Sequence, residues 1–158
     1  MSLYASDEAA REGRVAVISF EVDDMTGEEI SVAAERLRGV AGVHDLSLAS
    51  LLAKKGRPAT GFRLLVDPDA VEEVGRRCFG ETSTLGLRIR EERRLVLPRG
   101  SRPVEAEGAE WPVKSAVRPD GTTTAKVESD ALQPLAGLAE RRRLARLLES
   151  EPEQGPRR

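Results

Sequence analysis

From residue 15 to residue 98 the apolar positions switch repeatedly between the alternation of a strand and the three-to-four repeat of a helix. Val15, Val17, Ile18, Phe20 and Val22 make a β-branched run over residues 15–22 that stops at Asp23-Asp24. Thr26 followed three residues later by Glu29 is a capping box, after which Ile30, Ala33, Ala34, Leu37 and Val40 predict a helix over residues 27–39. Leu46, Leu48 and Leu52 then alternate on a second strand that His44 opens and Lys54-Lys55-Gly56-Arg57-Pro58 breaks; Phe62, Leu64 and Val66 alternate on the returning strand. Asp67-Pro68 is an N-cap with proline at the first helical position, and Val71, Val74, Cys78 and Phe79 mark one face of a second helix ending before Gly86. Leu85, Leu87 and Ile89, continued by Leu95 and Leu97 up to Pro98, predict the fourth strand.

Strand, helix, strand, strand, helix, strand is the split βαβ order, so the fold class is α/β (α+β), a ferredoxin-like βαββαβ sandwich over residues 14–99. Right-handed crossovers put three connections on one edge of the sheet: residues 23–26, 54–58 and 81–86. Residues 1–13 read as a flexible leader and 151–158 as a disordered tail. Between them, Arg99-Gly100-Ser101-Arg102-Pro103 reads as a linker, residues 104–117 and 122–127 as a β-hairpin turning at Pro119-Asp120-Gly121, and Leu132, Leu135, Leu138, Leu144 and Leu148 as a closing helix. Residues 100–150 are thus a β-hairpin and helix appendage, too small to be trusted alone and expected to pack on the first domain or on another subunit.

Composition narrows the chemistry. Twenty-five Lys plus Arg against 27 Asp plus Glu give a net charge of -2, no surplus that argues for nucleic acid or a membrane surface. No apolar run approaches the ~20 residues of a membrane helix and no secretory signal opens the chain, so a cytoplasmic protein is expected. One cysteine, Cys78, and one histidine, His44, exclude a disulfide framework, a Cys-rich cluster and a Ser-His-Asp triad. Carboxylates, Lys, Arg and hydroxyls remain.

Asp23 and Asp24, between a strand and a helix start, suit a hard cation such as magnesium or manganese, although capping and the helix dipole favour acids there anyway. Lys54, Lys55 and Arg57 crowd a glycine-containing turn and suit phosphate, although basic hairpin tips are often merely solvated. Thr82, Ser83 and Thr84, between Glu81 and Gly86, suit an anion or metal-nucleotide pocket if they are not simply local helix-end caps, and Arg88 stands near enough to reach it. The shared edge favours the joint reading, because a metal-bound phosphate ester needs all three loop chemistries together. Cys78 reads as core filling, His44 as structural, Trp111 as an anchor between the units and Arg141 to Arg143 as a solvated helix face. Lys114, Lys126, Glu128 and Asp130 are charges that spacing alone does not place.

Three blocks also carry a resemblance: Glu21-Val22-Asp23-Asp24-Met25-Thr26, Lys54-Lys55-Gly56-Arg57-Pro58, and Glu81-Thr82-Ser83-Thr84-Leu85-Gly86-Leu87-Arg88 with Arg93-Arg94 and Leu97-Pro98-Arg99. In order and spacing they resemble the C-terminal domain of LarC, the nickel insertion family of nickel-pincer nucleotide biosynthesis. Similarity is good over residues 18–99 and fades afterwards. There Lys126-Val127-Glu128-Ser129-Asp130 is similar to the family's Lys-Pro-Glu block with Val127 in place of proline.

The resemblance implies the CTP-binding and divalent-metal-binding part of a CTP-dependent nickel insertase, a cyclometallase of lyase type. Such a protein inserts Ni2+ into a pyridinium bis-thiocarboxylic acid mononucleotide to make the cofactor of lactate racemase. It further implies Mn2+ or Mg2+ with CTP, held by Asp23, Asp24 and Glu81, and phosphates held by Lys54, Lys55, Arg57, Thr82, Ser83, Thr84 and Arg88. No catalytic residue is assigned. Because the family's histidine-rich segments belong to an N-terminal region with no counterpart in these residues, the chain reads as a stand-alone or excised C-terminal part. It is expected to need that region or subunit for nickel transfer and to be inactive alone. A homo-oligomer is expected, and the alternative is a non-catalytic ferredoxin-like module for small-molecule sensing or oligomerisation.

Overall fold

The computed structural model describes residues 11–150, with side chains from Gly13 onward. The expected leader over residues 1–13 falls outside that span except at its end, and the tail over residues 151–158 falls outside it entirely. The chain divides into two compact units, one over Glu12–Arg94 and one from Leu95 onward.

In the first unit β1 (Arg11–Val22) starts four residues before the β-branched run, because backbone pairing extends past the apolar residues that announce it. α1 (Gly27–Arg38) begins at the capping box: the Thr26 hydroxyl accepts from the Glu29 N–H at 3.3 Å and the Glu29 carboxylate accepts from the Thr26 N–H at 2.7 Å. The chain continues through β2 (Val43–Leu52), a 3-10 turn at Lys54–Gly56, β3 (Pro58–Val66) and α2 (Val71–Glu81), then β4 (Arg88–Val96). Before α2, Asp67 accepts from the Asp69 N–H at 3.1 Å and starts a single 3-10 turn. The sheet order is β2-β3-β1-β4. β1 and β2 are both antiparallel to β3, hence parallel to each other, as a strand-helix-strand crossover requires.

Register and core agree. Even-numbered Ala16, Ile18, Phe20 and Val22 of β1 face α1 and α2 together with Phe62, Leu64 and Val66 of β3, Ala34, Leu37, Val74 and Cys78. Phe20 pairs with Phe62 across the ladder, their rings stacked at 4.7 Å between centroids. Such pairs add about 0.5–1.5 kcal/mol beyond burial. Odd-numbered Ser19, Glu21, Gly61 and Arg63 therefore lie on the opposite face. The fourth strand departs from the expected pattern: Leu87 packs on the core, but Leu85 precedes the strand and is fully exposed.

The second unit corrects the expected linker. Residues 99–103 are the first half of β5 (Arg99–Ala106), and the expected strand over 104–117 is the end of β5 plus β6 (Ala109–Val117). Glu107 (φ 54°) and Gly108 (φ 78°) form the two-residue turn between them, both in the left-handed region that a tight hairpin needs. With β7 (Thr123–Val127) the order is β5-β6-β7. The prolines fit because Pro112 turns its carbonyl toward the β7 side, accepting the Glu128 N–H at 3.0 Å, so the β5–β6 ladder lacks no donor. Pro103, its partner, then faces the free edge of β5. The single closing helix becomes α3 (Ser129–Leu132) and α4 (Leu138–Ser150), because Pro134 cannot continue a helix and Gly137 (φ 84°) turns the chain. Trp111, expected as an anchor between units, packs on this unit's own core with Val104, Val113, Val127, Leu144 and Leu148, its indole N–H donating to the Ala106 carbonyl at 3.1 Å.

Two outcomes test this packing. Gly42 has φ +87° and a Cβ there would stand 2.4 Å from that of Ala70, so Gly42→Ala should cost about 2–4 kcal/mol in a urea melt; an unchanged midpoint would contradict the packing. Burial pushes the Cys78 thiol up to about 11. A thiol reagent at pH 8 should leave Cys78 unmodified until the protein unfolds. The sign follows: the unfolded thiol ionises from about pH 9 while the folded one stays protonated, so this contribution to stability is intact below pH 9 and is lost as pH rises toward 11.

Candidate functional site

The β1–β3 register fixes what meets at the sheet edge. Val22 stands opposite Thr60, so the residues just beyond them, Asp23 and Arg57, close an ion pair at 2.7 Å. The Lys54–Gly56 turn that presents Arg57 is shaped by Lys55 in the left-handed region (φ 61°) and by Gly56 (φ 70°), and is closed by Ala53 N–H to Arg57 O at 2.8 Å. An L-residue in that region costs about 1 kcal/mol or more. Among the described residues Lys54 and Lys55 have no ion-pair partner, so two cations at this tip face water.

The third loop reaches the same edge from the end of α2. Ser83 donates its hydroxyl to Asp24, and Arg88, the first residue of β4, lies 3.3 Å from Glu21. The acidic, basic and hydroxyl stretches therefore meet, through the pairs Asp23–Arg57, Asp24–Ser83 and Glu21–Arg88. The hydroxyls divide their roles. Thr82 donates to the Cys78 carbonyl at 2.7 Å and Thr84 to that of Gly86 at 3.1 Å, both finishing the helix end locally. Only Ser83 crosses to the β1–α1 turn.

Glu81 stands apart from the other two carboxylates assigned to metal. It takes the Arg36 guanidinium of α1 at 3.0 Å. Asp23 and Asp24 are adjacent but engage different partners, and among the described residues no three His, Cys, Asp or Glu side chains stand close enough to hold a metal by themselves. An open cleft of about 520 Å³ lies between α1 and the end of α2, lined by Asp24, Glu28, Glu29 and Glu81 with Met25 and Val32. In it Glu29 is held below the usual carboxylate range, first by the Thr26 backbone N–H and then by the Thr26 hydroxyl. The cleft is acidic and the Lys54–Arg57 tip is basic; Asp24 and Ser83 mark the cleft side of the edge.

Sequence reasoning assigned no role to Glu21 or Arg36. Glu21 was legible as the charged outward position of an otherwise apolar run, whereas Arg36 carries no sequence signal, since its meeting with Glu81 depends on how the two helices pack. In the second unit Lys114 and Glu128 pair at 3.1 Å, Arg143 grips Glu107 with both ends of its guanidinium at 2.5 and 2.9 Å, and Val127 fills the core. Two residues expected on a solvated helix face, Arg141 and Arg143, are thus engaged, the first with the Leu135 carbonyl at 3.1 Å.

Comparison with known proteins places this geometry. A family model described as nickel insertion protein matches residues 1–143. A Rhodopirellula baltica protein named for nickel insertion is 34% identical over 122 residues, covering 77% of this chain and 31% of that protein. The pyridinium-3,5-bisthiocarboxylic acid mononucleotide nickel insertion protein of Desulfitobacterium hafniense is 31% identical over 131 residues, 83% of this chain and 32% of its own length. The chain thus spans about a third of these relatives. Among solved structures, LarC2, described as the C-terminal domain of a cyclometallase involved in the synthesis of the NPN cofactor of lactate racemase, superposes with a TM-score of 0.76 at 25% identity, covering 88% of this chain and 98% of that one. A Methanopyrus kandleri protein shares the fold with a TM-score of 0.64 at 22% identity, covering 87% and 88%.

Proposed function

The chain belongs to the nickel insertion protein family, and from that membership we propose that it is the portion that binds CTP and a divalent cation during assembly of a nickel-pincer nucleotide. The observation that carries the reading is the meeting of the acidic, basic and hydroxyl loops at one sheet edge. Lys54 and Lys55 offer point charges without an ion-pair partner among the described residues, and Arg57 and Arg88 offer planar forks whose present partners are at least partly exposed carboxylates. Exposed ion pairs contribute about 0–1 kcal/mol, so a triphosphate displaces them at little cost.

The donor set suits magnesium or manganese. Such cations take oxygen ligands and are commonly held by one or two carboxylates with nucleotide phosphates supplying the rest. Asp23 and Asp24 provide those carboxylates, and a cation arriving with its nucleotide needs no complete protein cage. Glu81 joins only if Arg36 releases it. When bound, the cation supplies charge neutralisation for the phosphates. The protein's part is to hold them: Ser83 orients Asp24, Arg57 leaves Asp23 to the cation as it turns to the phosphates, and the basic turn closes on the other side.

Nickel is substrate in this scheme, and the pyridinium bis-thiocarboxylated mononucleotide receives it. One exposed His44 and one buried Cys78 do not make a soft multi-ligand site, so nickel delivery falls to residues outside this stretch, on a joined region or a partner.

Calorimetric titration of the chain with CTP and manganese should show metal-dependent binding, and absence of affinity down to millimolar CTP would leave the sensing or oligomerisation module. Asp24→Asn, which keeps the Ser83 acceptor while removing charge, should weaken the metal dependence without unfolding. Arg88→Ala should reduce affinity at least tenfold, since truncating one partner of a desolvated charge pair costs about 2–5 kcal/mol; a merely solvated arginine would show less than a twofold change. Incubated with the bis-thiocarboxylated nucleotide, nickel and CTP with manganese, the chain alone should yield no activated racemase. Activation without a second polypeptide would overturn the division of labour.

A further inference from the structure

The sheet face opposite α1 and α2 carries a second cluster of cations beside the phosphate edge. Arg63 of β3 lies on that face because its neighbours Phe62 and Leu64 are in the core beneath the helices. Arg88, Arg90 and Glu92 of β4 share the face, as the pairs Arg88–Glu21, Arg90–Glu92 and Arg63–Glu92 show. In the sheet order β1 lies between β3 and β4, and Ser19 is the β1 residue opposite Arg63, so the Arg63 side chain crosses β1 at Ser19 to approach Glu92.

This cluster is under-satisfied in a specific way. Arg63 and Arg90 share one carboxylate, at 3.9 and 3.7 Å, both beyond hydrogen-bond reach. Their side chains are 50% and 68% exposed, so two guanidinium forks stand in water with Glu92 their one carboxylate partner among the described residues. Toward the phosphate edge, Gly61 puts no side chain on the face and Leu51 of β2 leans into that space, within 2.8 Å of where a Cβ would sit. Two cationic forks beside a small floor and an exposed leucine suit a flat ring with acidic groups: the forks take planar carboxylate-type groups in bidentate fashion, and the leucine takes a ring face.

We infer that this face, at Arg63 and Arg90, binds a planar aromatic di-acid, and so docks the bis-acid ring of the metal-accepting nucleotide next to the CTP phosphates. The inference rests on the proposed function for the identity of the ring, but not for the existence of the site. Arg88 is the junction: its neighbours on one side are the phosphate loops, and two residues along the same strand face is Arg90. Glu92 competes with the ligand for both guanidiniums, so it should set the affinity.

The test uses the whole 15N-labelled chain and pyridine-3,5-dicarboxylate as probe. Titration should shift the Arg63 and Arg90 side-chain N–H signals and the Ser19 and Gly61 amides. Pyridine-3-carboxylate, glutarate and inorganic phosphate should each bind at least fivefold more weakly. Arg63→Ala and Arg90→Ala should each weaken the probe at least tenfold, Arg63→Lys should weaken it severalfold because charge without the fork is not enough, and Glu92→Gln should tighten it. The Arg63 and Arg90 side chains are exposed and Glu92 is half-buried, and unchanged amide spectra confirm that the variants fold. No shift at these residues with millimolar probe, or an equal response to glutarate or phosphate, would overturn the inference. CTP with manganese, titrated into the same sample and read at Lys54 and Ser83, separates the two proposals: failure there with probe binding at Arg63 removes the nucleotide reading alone, and the reverse removes this one alone.

Discussion

The pairing of Phe20 with Phe62 in the middle of the β1–β3 ladder is the contact on which the site depends. A strand slip of one residue would move Ile18, Phe20 and Val22 out of the core and put Ser19 and Glu21 into it. That apolar penalty, several side chains at about 1.5–3 kcal/mol each, is far larger than anything the polar edge contributes. The hydrophobic register therefore dictates that Asp23 meets Arg57, and the chemistry at the edge inherits a position it does not have to maintain. This is why the site can consist of exposed, individually weak ion pairs.

Those pairs have a common form: a carboxylate from the β1 end holds a group from one of the other two loops. The two ion pairs, Asp23–Arg57 and Glu21–Arg88, each neutralise a charge that a ligand of the right sign would otherwise find free, whereas Ser83 only hydrogen-bonds Asp24 and leaves its charge in place; all three are exposed enough for exchange to be inexpensive. On the helix side Arg36 of α1 and Glu81 of α2 form a further ion pair, with no residue from the β1 end. The two sides differ in sign, with acids lining the cleft between α1 and α2 and, at the β2–β3 tip, lysines that no described residue pairs. An anionic ligand is drawn to one and repelled by the other, so charge alone sets its approach.

Elements whose cause is local were legible. The Thr26–Glu29 box, the Asp67-Pro68 start and the alternation of Phe62, Leu64 and Val66 each act over a few residues, and the structure carries all three. The shared edge was legible too, because crossover handedness and strand order suffice to place it. What failed depended on distant partners. Arg99-Gly100-Ser101-Arg102-Pro103 has a linker's composition and becomes strand because β6 pairs with it. Leu85 continues an apolar alternation but stands in water, since the chain joins the sheet only at Arg88. Glu81 lines the same cleft as Asp24, but its present partner Arg36 was invisible at the level of pattern, since the pair depends on how two helices pack.

The facing prolines of the second sheet bear on what its outer strand can accept. Strand addition propagates when an incoming peptide finds an uninterrupted row of donors and acceptors along a margin. Pro103 sits at the centre of the outer margin of β5 with its nitrogen turned outward and no hydrogen to offer, so any peptide laid there loses a bond midway. A strand added on that side would therefore be interrupted from its first pairing. The protection comes from a residue that leaves the internal ladder intact, so it costs the folded state almost nothing.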